Sequence, residues 1–312
     1  MARVVVVGGG ISGLALAFRL EQLAGSLQVT VLEKRPRLGG TIGTEVQAGF
    51  RFEIGPNGFL DNQLSTWNLC GDLGLSDRLI PASEIARRHR FLYLRGQLRK
   101  LPTGLFSLLT SRTLSWRSKW ALLTERFRKP RRQGGDESVD AFARRRTSDE
   151  IAETLADAFV TGIHAADPAL LSVRAAFPRL AELEAEYGSV TGGLVKAARK
   201  RRQQARARGE PVRRGLRTWS FREGLGLLID TLRARLRGPV LTGVGVRRLE
   251  PGGEDAAWLV RGEGQECWPA DAVVLACPGH EQSAILADLD SQLAATVAEI
   301  PYNRVAVVVL GY

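Results

Sequence analysis

Apolar residues change their spacing along this chain, and the changes predict its elements. Val4-Val5-Val6-Val7 is an unbroken β-branched run, the pattern of a strand buried on both faces. Glycines follow, then helix-forming residues from Leu14 to Leu23, then a second β-branched run, Gln28 to Leu32, that ends at Glu33. Strand, glycine turn, helix and strand in that order predict an α/β domain with a parallel sheet. Helical spacing returns from Leu64 to Leu75, and Arg90 to Leu105 reads as a hairpin leading to a turn. Between Leu105 and Phe127 apolar residues recur at three- and four-residue intervals, so helices are expected. Asp136-Glu137-Ser138-Val139 opens another helix with acids suited to its first turn, and Leu155 to His164 reads as a helix ended by a turn containing Gly162. Strands are predicted again at 240–249, 257–260 and 270–277, the first two flanking a turn at Pro251-Gly252-Gly253.

The chemistry begins in the first turn. Gly8, Gly10 and Gly13 give G-x-G-x-x-G. The first glycine permits the turn, the second lets backbone N–H groups approach a pyrophosphate, and the third lets the helix pack close to the strand. Glu33 stands about 20 residues further on, the distance of an acid that binds a ribose hydroxyl. Gly8, Gly9, Gly10, Ile11, Ser12, Gly13, Glu33 and Lys34 are therefore the first candidates for a nucleotide site. A glycine turn in an α/β domain that holds no nucleotide is the alternative. After Glu33 comes a second glycine pair, Gly39-Gly40 followed by Thr41, which lets backbone run close to a ligand or to the first helix.

Composition refines this picture at one place. The net charge is +11, and between Lys196 and Arg217 ten basic residues face a single acid, Glu210, which accounts for nine of those charges. No aromatic residue interrupts the run before Trp219, so a solvated connector or a contact with anionic lipid fits better than a nucleic-acid interface. Cys70, Cys267 and Cys277 show no C-x-x-C spacing and read as reduced thiols, and His89, His164 and His280 are too scattered to suggest a metal site. The first strand begins at residue 3, which leaves no room for a leader, and no apolar run reaches the about 18–20 residues of a membrane span. A cytoplasmic protein, at most peripheral on the inner face of the membrane, is expected. The basic, tryptophan-bearing stretch before Phe127 fits both a helix lying in a membrane interface and a lobe packed on its own core.

The run from Val4 to Thr41, glycine turn, acid and Gly39-Gly40-Thr41 together, resembles the FAD-binding signature of the flavin amine oxidase superfamily. R-F-L-Y at Arg90–Tyr93, L-P-T-G-L at Leu101–Leu105 and G-I-H-A-A-D-P at Gly162–Pro168 resemble, within it, the protoporphyrinogen oxidase family. That resemblance implies FAD as cofactor and an oxygen-dependent oxidation of protoporphyrinogen IX or coproporphyrinogen III in haem biosynthesis, with the porphyrinogen and dioxygen as partners. It places backbone of Gly55, Pro56, Asn57 and Gly58 beneath the flavin ring, Gly40 and Thr41 near the cofactor, and Val246 beside the adenine. Arg90 would pair with a substrate propionate, to which a guanidinium is suited, and Asn57, Gly162 and Ile163 would face the substrate. Ala166 and Glu223 stand where the family usually has glycine. No side chain stands out as a general base. An amine or carotenoid oxidoreductase of the same superfamily, and an inactive FAD-domain fragment, are the alternatives.

The expected fold is α/β: a glutathione-reductase-like, Rossmann-like FAD domain with an inserted helical lobe and the start of a mixed-sheet substrate domain. Residues 1–80 with 216–283 would form the FAD domain, 81–215 a substrate- and membrane-facing lobe, and 284–312 the truncated start of the substrate sheet, with a strand in Pro301–Tyr312.

Overall fold

Val4, Val5, Val6 and Val7 are all buried, and their alternation decides what each face of the sheet packs against. In the computed structural model they lie in β1 (Ala2–Val7), inside a four-stranded parallel sheet ordered Val240–Thr242, β2 (Leu27–Glu33), β1, Ala272–Leu275. Val4 and Val6 point to one side, where they meet Leu14, Ala17 and Phe18 of helix α1 (Ile11–Leu23) and Leu228, Ile229 and Leu232 of the helix Gly226–Arg235. Val5 and Val7 point to the other, against Leu249, Val260 and Ala270 of an antiparallel meander, Val246–Pro251, Trp258–Gly262 and Cys267–Ala270, and against Ile285 and Leu286 of the helix Gly279–Leu286. A strand two residues out of register would keep its faces, but a slip of one would exchange them. Helices on one face of a parallel sheet and an antiparallel meander on the other are the expected Rossmann-like α/β arrangement.

The structure describes all residues except 24, 95, 102–106, 108–109, 112, 132–134, 208–216 and 312. The chain divides into two compact units: Met1–Ala82 with Leu216–Tyr302 and Ala306–Tyr312, and Ser83–Gly215 with Asn303–Val305. The first holds the parallel sheet. It also contains a hairpin, Thr44–Gln47 with Phe50–Glu53, and a small antiparallel sheet in which Thr218–Phe221 lies between Phe59–Leu60 and Leu79–Pro81. Cys70, on the helix Leu64–Asp72, is fully enclosed in the same core, and burial pushes its thiol pKa up.

The second unit is mainly helical and is tied together by buried charge. Glu125 and Arg146 are each 1% exposed. The Glu125 carboxylate accepts from the backbone N–H groups of Val190 and Thr191 at 3.1 and 3.0 Å, from Ser189 Oγ at 2.8 Å, and from Arg146 Nε at 2.7 Å. It thus caps the N-terminus of the helix Val190–Ala207, where a negative charge is favoured. Arg146, on the helix Val139–Arg146, also reaches Glu184 at 3.2 Å, and Arg145 joins Glu184 to Glu137 at 2.7 and 2.8 Å. Burial works against ionisation of Glu125, but the bonds from Thr191, Arg146 and Ser189 outweigh it and hold its pKa at about 2, below the ordinary 4.5.

Two expectations differ from the fold, and the basic run gains a conformation: Lys196 to Ala207 continue the helix Val190–Ala207 with Lys196, Arg199, Lys200, Arg202 and Arg206 exposed, while Arg217 directly precedes the strand Thr218–Phe221. Gly162 does not end a helix: it lies inside Asp157–His164, which stops instead at Ala165 in the left-handed conformation, φ 48°. The segment expected to open a sheet forms the helix Ser291–Ala298 and then, from 301 to 311, exposed chain without strand pairing. Val305, Val307, Val308, Val309 and Leu310 carry a strand-like sequence, but among the described residues no neighbouring strand satisfies their backbone groups. The L-P-T-G-L motif lies outside the described residues beyond Leu101.

The charge hub generates a pH prediction. A carboxyl held at about 2 stabilises the fold fully above its unfolded value of 4.5 and loses that stabilisation as pH falls from 4.5 towards 2. Glu125→Ala removes it at every pH and leaves the buried Arg146 with Glu184 as its one remaining carboxylate partner among the described residues. It should destabilise by about 3–5 kcal/mol at pH 7, with a melting temperature less sensitive to acid than that of the unaltered chain; equal melting curves for the two proteins would contradict the assignment.

Candidate functional site

The carboxyl ends of β1 and β2 meet at the glycine turn, and each glycine there answers a specific contact. Gly8, at φ 114°, donates from its backbone N–H to Leu32 O at 2.8 Å, and a Cβ on it would lie 2.9 Å from the backbone of Ala276. Gly9 N–H donates to Glu33 Oε2 at 2.6 Å, while Glu33 Oε1 accepts from Arg35 N–H at 2.8 Å. A Cβ on Gly13 would stand 2.0 Å from Gly8 O, so only glycine lets α1 sit this close to the turn. Gly10 is different. Its missing Cβ would meet nothing nearer than Gly40 Cα at 3.9 Å. The space beside Gly10 is open, and the first N–H groups of α1, at Ile11, Ser12 and Gly13, have no partner within their own helix.

The second glycine pair lies against the first turn. Gly39 N–H donates to Gly9 O at 2.8 Å, and Gly39 and Gly40 both have positive φ, at 100° and 61°. Arg37 holds this loop from outside, donating to the backbone oxygens of Gly40 at 2.7 Å, Ile42 at 3.0 Å and Leu38 at 3.2 Å. Sequence reasoning did not single out Arg37; its signal is a guanidinium two residues before a glycine pair whose carbonyls need donors. Thr41 is exposed, and its backbone oxygen would be 1.9 Å from a Cβ on Gly55, which places the two segments in direct backbone contact. Pro56 and Asn57 are exposed, whereas Gly58 is packed over Thr218 and Trp219.

On the far side of Glu33 the chain is fastened to Val244, whose N–H donates to Glu33 O at 2.9 Å, two residues before Val246. Val246 is half-buried and paired with Gly262. The Lys34 side chain is exposed and turns towards Glu281 and Glu263, at 3.5 and 3.6 Å. Cys277 follows the strand Ala272–Leu275; burial, with Glu281 and Glu33 nearby, pushes its thiol up to about 11, so it stays neutral. The structure thus gathers 8–13, 33–34, 39–41, 55–58 and 246 in one unit. Chemically the turn offers N–H groups that have no partner within their own helix, beside an open cradle for phosphate. Glu33 keeps lone pairs for hydroxyl donors, since an ionised carboxylate has about four acceptor sites and two are used.

The substrate candidates other than Asn57 lie in the helical unit. Arg90 is exposed, directly before the hairpin Phe91–Leu94 with Gln97–Lys100, and its backbone oxygen accepts from Leu101 N–H at 2.8 Å. Gly162 and Ile163 are both exposed on Asp157–His164, Ile163 at 58%.

Residues 11–312 match the model of the flavin containing amine oxidoreductase family. The chain is 34% identical over 322 residues to protoporphyrinogen oxidase 1, chloroplastic, of Arabidopsis thaliana, covering 99% of this chain and 58% of that one. It is 35% identical over 327 residues to protoporphyrinogen oxidase of Homo sapiens, covering 99% and 66%. It therefore spans little more than half to about two thirds of the length of these relatives. Among solved structures, a protein of Exiguobacterium sp. 255-15 has the same fold with a TM-score of 0.75 at 24% identity, covering 94% of this chain and 63% of that one. Putrescine oxidase matches with a TM-score of 0.60 at 20% identity, covering 91% and 59%.

The contrast between two glycines is testable. Gly10→Ala should leave the melting temperature within about 2 °C, because a Cβ there meets open space, yet weaken FAD at least about tenfold by filling the phosphate approach. Gly13→Ala should lower the melting temperature by several degrees, about 1–3 kcal/mol of overpacking, because its Cβ meets a fixed backbone oxygen. Equal thermal effects of the two in calorimetry would contradict this geometry.

Proposed function

We propose that this chain, which belongs to the flavin-containing amine oxidoreductase family, binds FAD and serves the oxygen-dependent oxidation of protoporphyrinogen IX, or of coproporphyrinogen III, to the porphyrin. The observation that carries the cofactor half is the bond from Gly9 N–H to Glu33 beside the open face of Gly10. The names of the relatives, together with R-F-L-Y and G-I-H-A-A-D-P, support the substrate half. Residues 1–80 with 216–283 are the FAD-binding part in this reading and 81–215 the substrate-facing part. The 284–312 segment, expected on the substrate side, packs through Ile285, Leu286 and Ala294 into the core of the FAD-binding part.

FAD, when bound, supplies the acceptor for a hydride from a porphyrinogen carbon. The protein's own work is orientation. Gly8 to Gly13 take the pyrophosphate on backbone N–H groups, and Glu33 accepts from ribose hydroxyls. The backbone of Gly55 to Gly58, running over Thr41, supports the ring end. Arg90, with an exposed guanidinium, pairs with a propionate through two parallel charge-assisted hydrogen bonds, and Ile163 offers an apolar wall.

A peripheral membrane contact belongs to the same reading. Trp116, Trp120 and Phe127 are 71%, 68% and 72% exposed, and with Leu123 they recur at helical spacing along Trp116–Thr124 and the turn Glu125–Phe127. Arg126 stacks on Phe127 at 4.5 Å, and Arg117 and Arg128 flank the stripe, a pattern suited to the interface of an anionic bilayer. No helix among the described residues is long and apolar enough to cross a membrane.

The purified protein should show flavin absorbance after FAD is added and gel filtration, and should consume oxygen with protoporphyrinogen or coproporphyrinogen. Arg90→Ala should raise KM about tenfold or more while leaving the flavin spectrum unchanged. No bound flavin would sink the cofactor reading; an unchanged KM would remove Arg90 from the site. Trp116→Ser with Trp120→Ser should abolish cosedimentation with vesicles of anionic lipid, and full retention would remove the stripe from the membrane contact.

A further inference from the structure

The loop assigned to the flavin ring is aimed by a carboxylate that is not in the loop. Thr44 and Glu53 face each other across the hairpin Thr44–Gln47 with Phe50–Glu53. Glu53 Oε1 accepts from Leu225 N–H at 2.9 Å, and Oε2 accepts from Thr44 Oγ1 at 2.9 Å. Thr44 Oγ1 in turn accepts from Gly226 N–H at 2.8 Å. Two N–H groups at the start of Gly226–Arg235 are thereby satisfied from outside, and they need to be, because the N-cap residue of that helix is Leu225, whose side chain cannot cap. The approach leaves no slack: a Cβ on Gly224, φ 95°, would lie 2.4 Å from Thr44 and 2.6 Å from Glu53.

The fastening reaches the cofactor segments in one step. Ile54 N–H donates to Gly43 O at 2.9 Å, continuing the hairpin register, and the next residue is Gly55, in backbone contact with Thr41. The same helix touches the other cofactor loop, since Ile229 lies 3.2 Å from where a Cβ on Gly39 would stand. One core helix therefore sets both Gly39–Gly40 and, through Glu53, Gly55–Gly58.

We infer that Glu53 is a positioning residue for the flavin ring: pinned to the N-terminus of Gly226–Arg235, it fixes where Gly55 to Gly58 pass over Thr41. This rests on the reading that Gly55 to Gly58 support the ring. A useful control is Glu21, which binds Arg237 and Gly238 N–H at 2.9 and 2.8 Å in the same unit, but beside Val29 near the start of β2. It is an equally well-bonded carboxylate at the other end of the sheet.

Hydrogen exchange of the flavin-free protein, FAD titration and the visible circular dichroism of bound flavin decide the matter. Glu53→Ala should speed exchange of the Ile54 amide and weaken FAD, each at least about tenfold, with an altered flavin dichroism. Glu53→Gln, which can still accept from Leu225, should return both to within about threefold. Glu21→Ala should lower the melting temperature and leave Ile54 exchange, FAD affinity and dichroism as in the unaltered chain. Unchanged Ile54 exchange in Glu53→Ala, or an equal loosening by Glu21→Ala, overturns the inference. An unaltered chain that binds no FAD overturns the cofactor reading instead, while the exchange result still decides whether Glu53 pins the loop.

Discussion

Gly13 has no room for a side chain because the carbonyl of Gly8 occupies it, 2.0 Å from where a Cβ would be. This approach of helix to turn brings the first N–H groups of α1 beside the carboxyl end of β1, and everything at the candidate site is arranged about it. The strand beneath can stay close because both its faces are apolar: Val4 and Val6 hold α1 while Val5 and Val7 hold the meander. Core packing thus places the turn, and the turn leaves one side of Gly10 open.

Carboxylates then fix the loops that packing alone would leave loose. Glu33 ties Gly9 and Arg35, Glu53 ties the hairpin to Gly226–Arg235, and Glu125 ties two segments of the helical unit to Val190–Ala207. In each case the side-chain oxygens of a glutamate accept from backbone N–H groups that would otherwise lack partners. The two in the first unit lie at the loops proposed to hold FAD. Arg37 does the converse, giving donors to loop carbonyls.

Local patterns were legible in the sequence where one short segment carries the whole signal. The β-branched run of β1, the spacing of Gly8, Gly10 and Gly13, and the distance to Glu33 depend on neighbours along the chain, and they specify the Rossmann-like sheet and its turn. Glu53 was not legible, because its backbone partner, Leu225, is 172 residues away, and the Gly226 N–H reaches the same cluster through Thr44. Apolar spacing could not say that 301–311 would lack a strand, since pairing depends on a neighbour and not on the strand's own residues. Gly162 misled for a related reason: a glycine reads as a helix end, yet the left-handed residue that stops the helix is Ala165. The charge run 196–207 reads as a connector until its helix is seen to start from the cap supplied by Glu125.

In the proposed function Gly8 to Gly13 with Glu33 seat the ADP half of FAD, and the Gly55–Gly58 loop supports the ring end separately. Calorimetric titration with ADP, FMN and FAD separates the two halves. ADP should bind and compete with FAD, and FMN, which lacks the adenosine end, should bind far more weakly than FAD. FMN binding as tightly as FAD, with no competition from ADP, would contradict this reading.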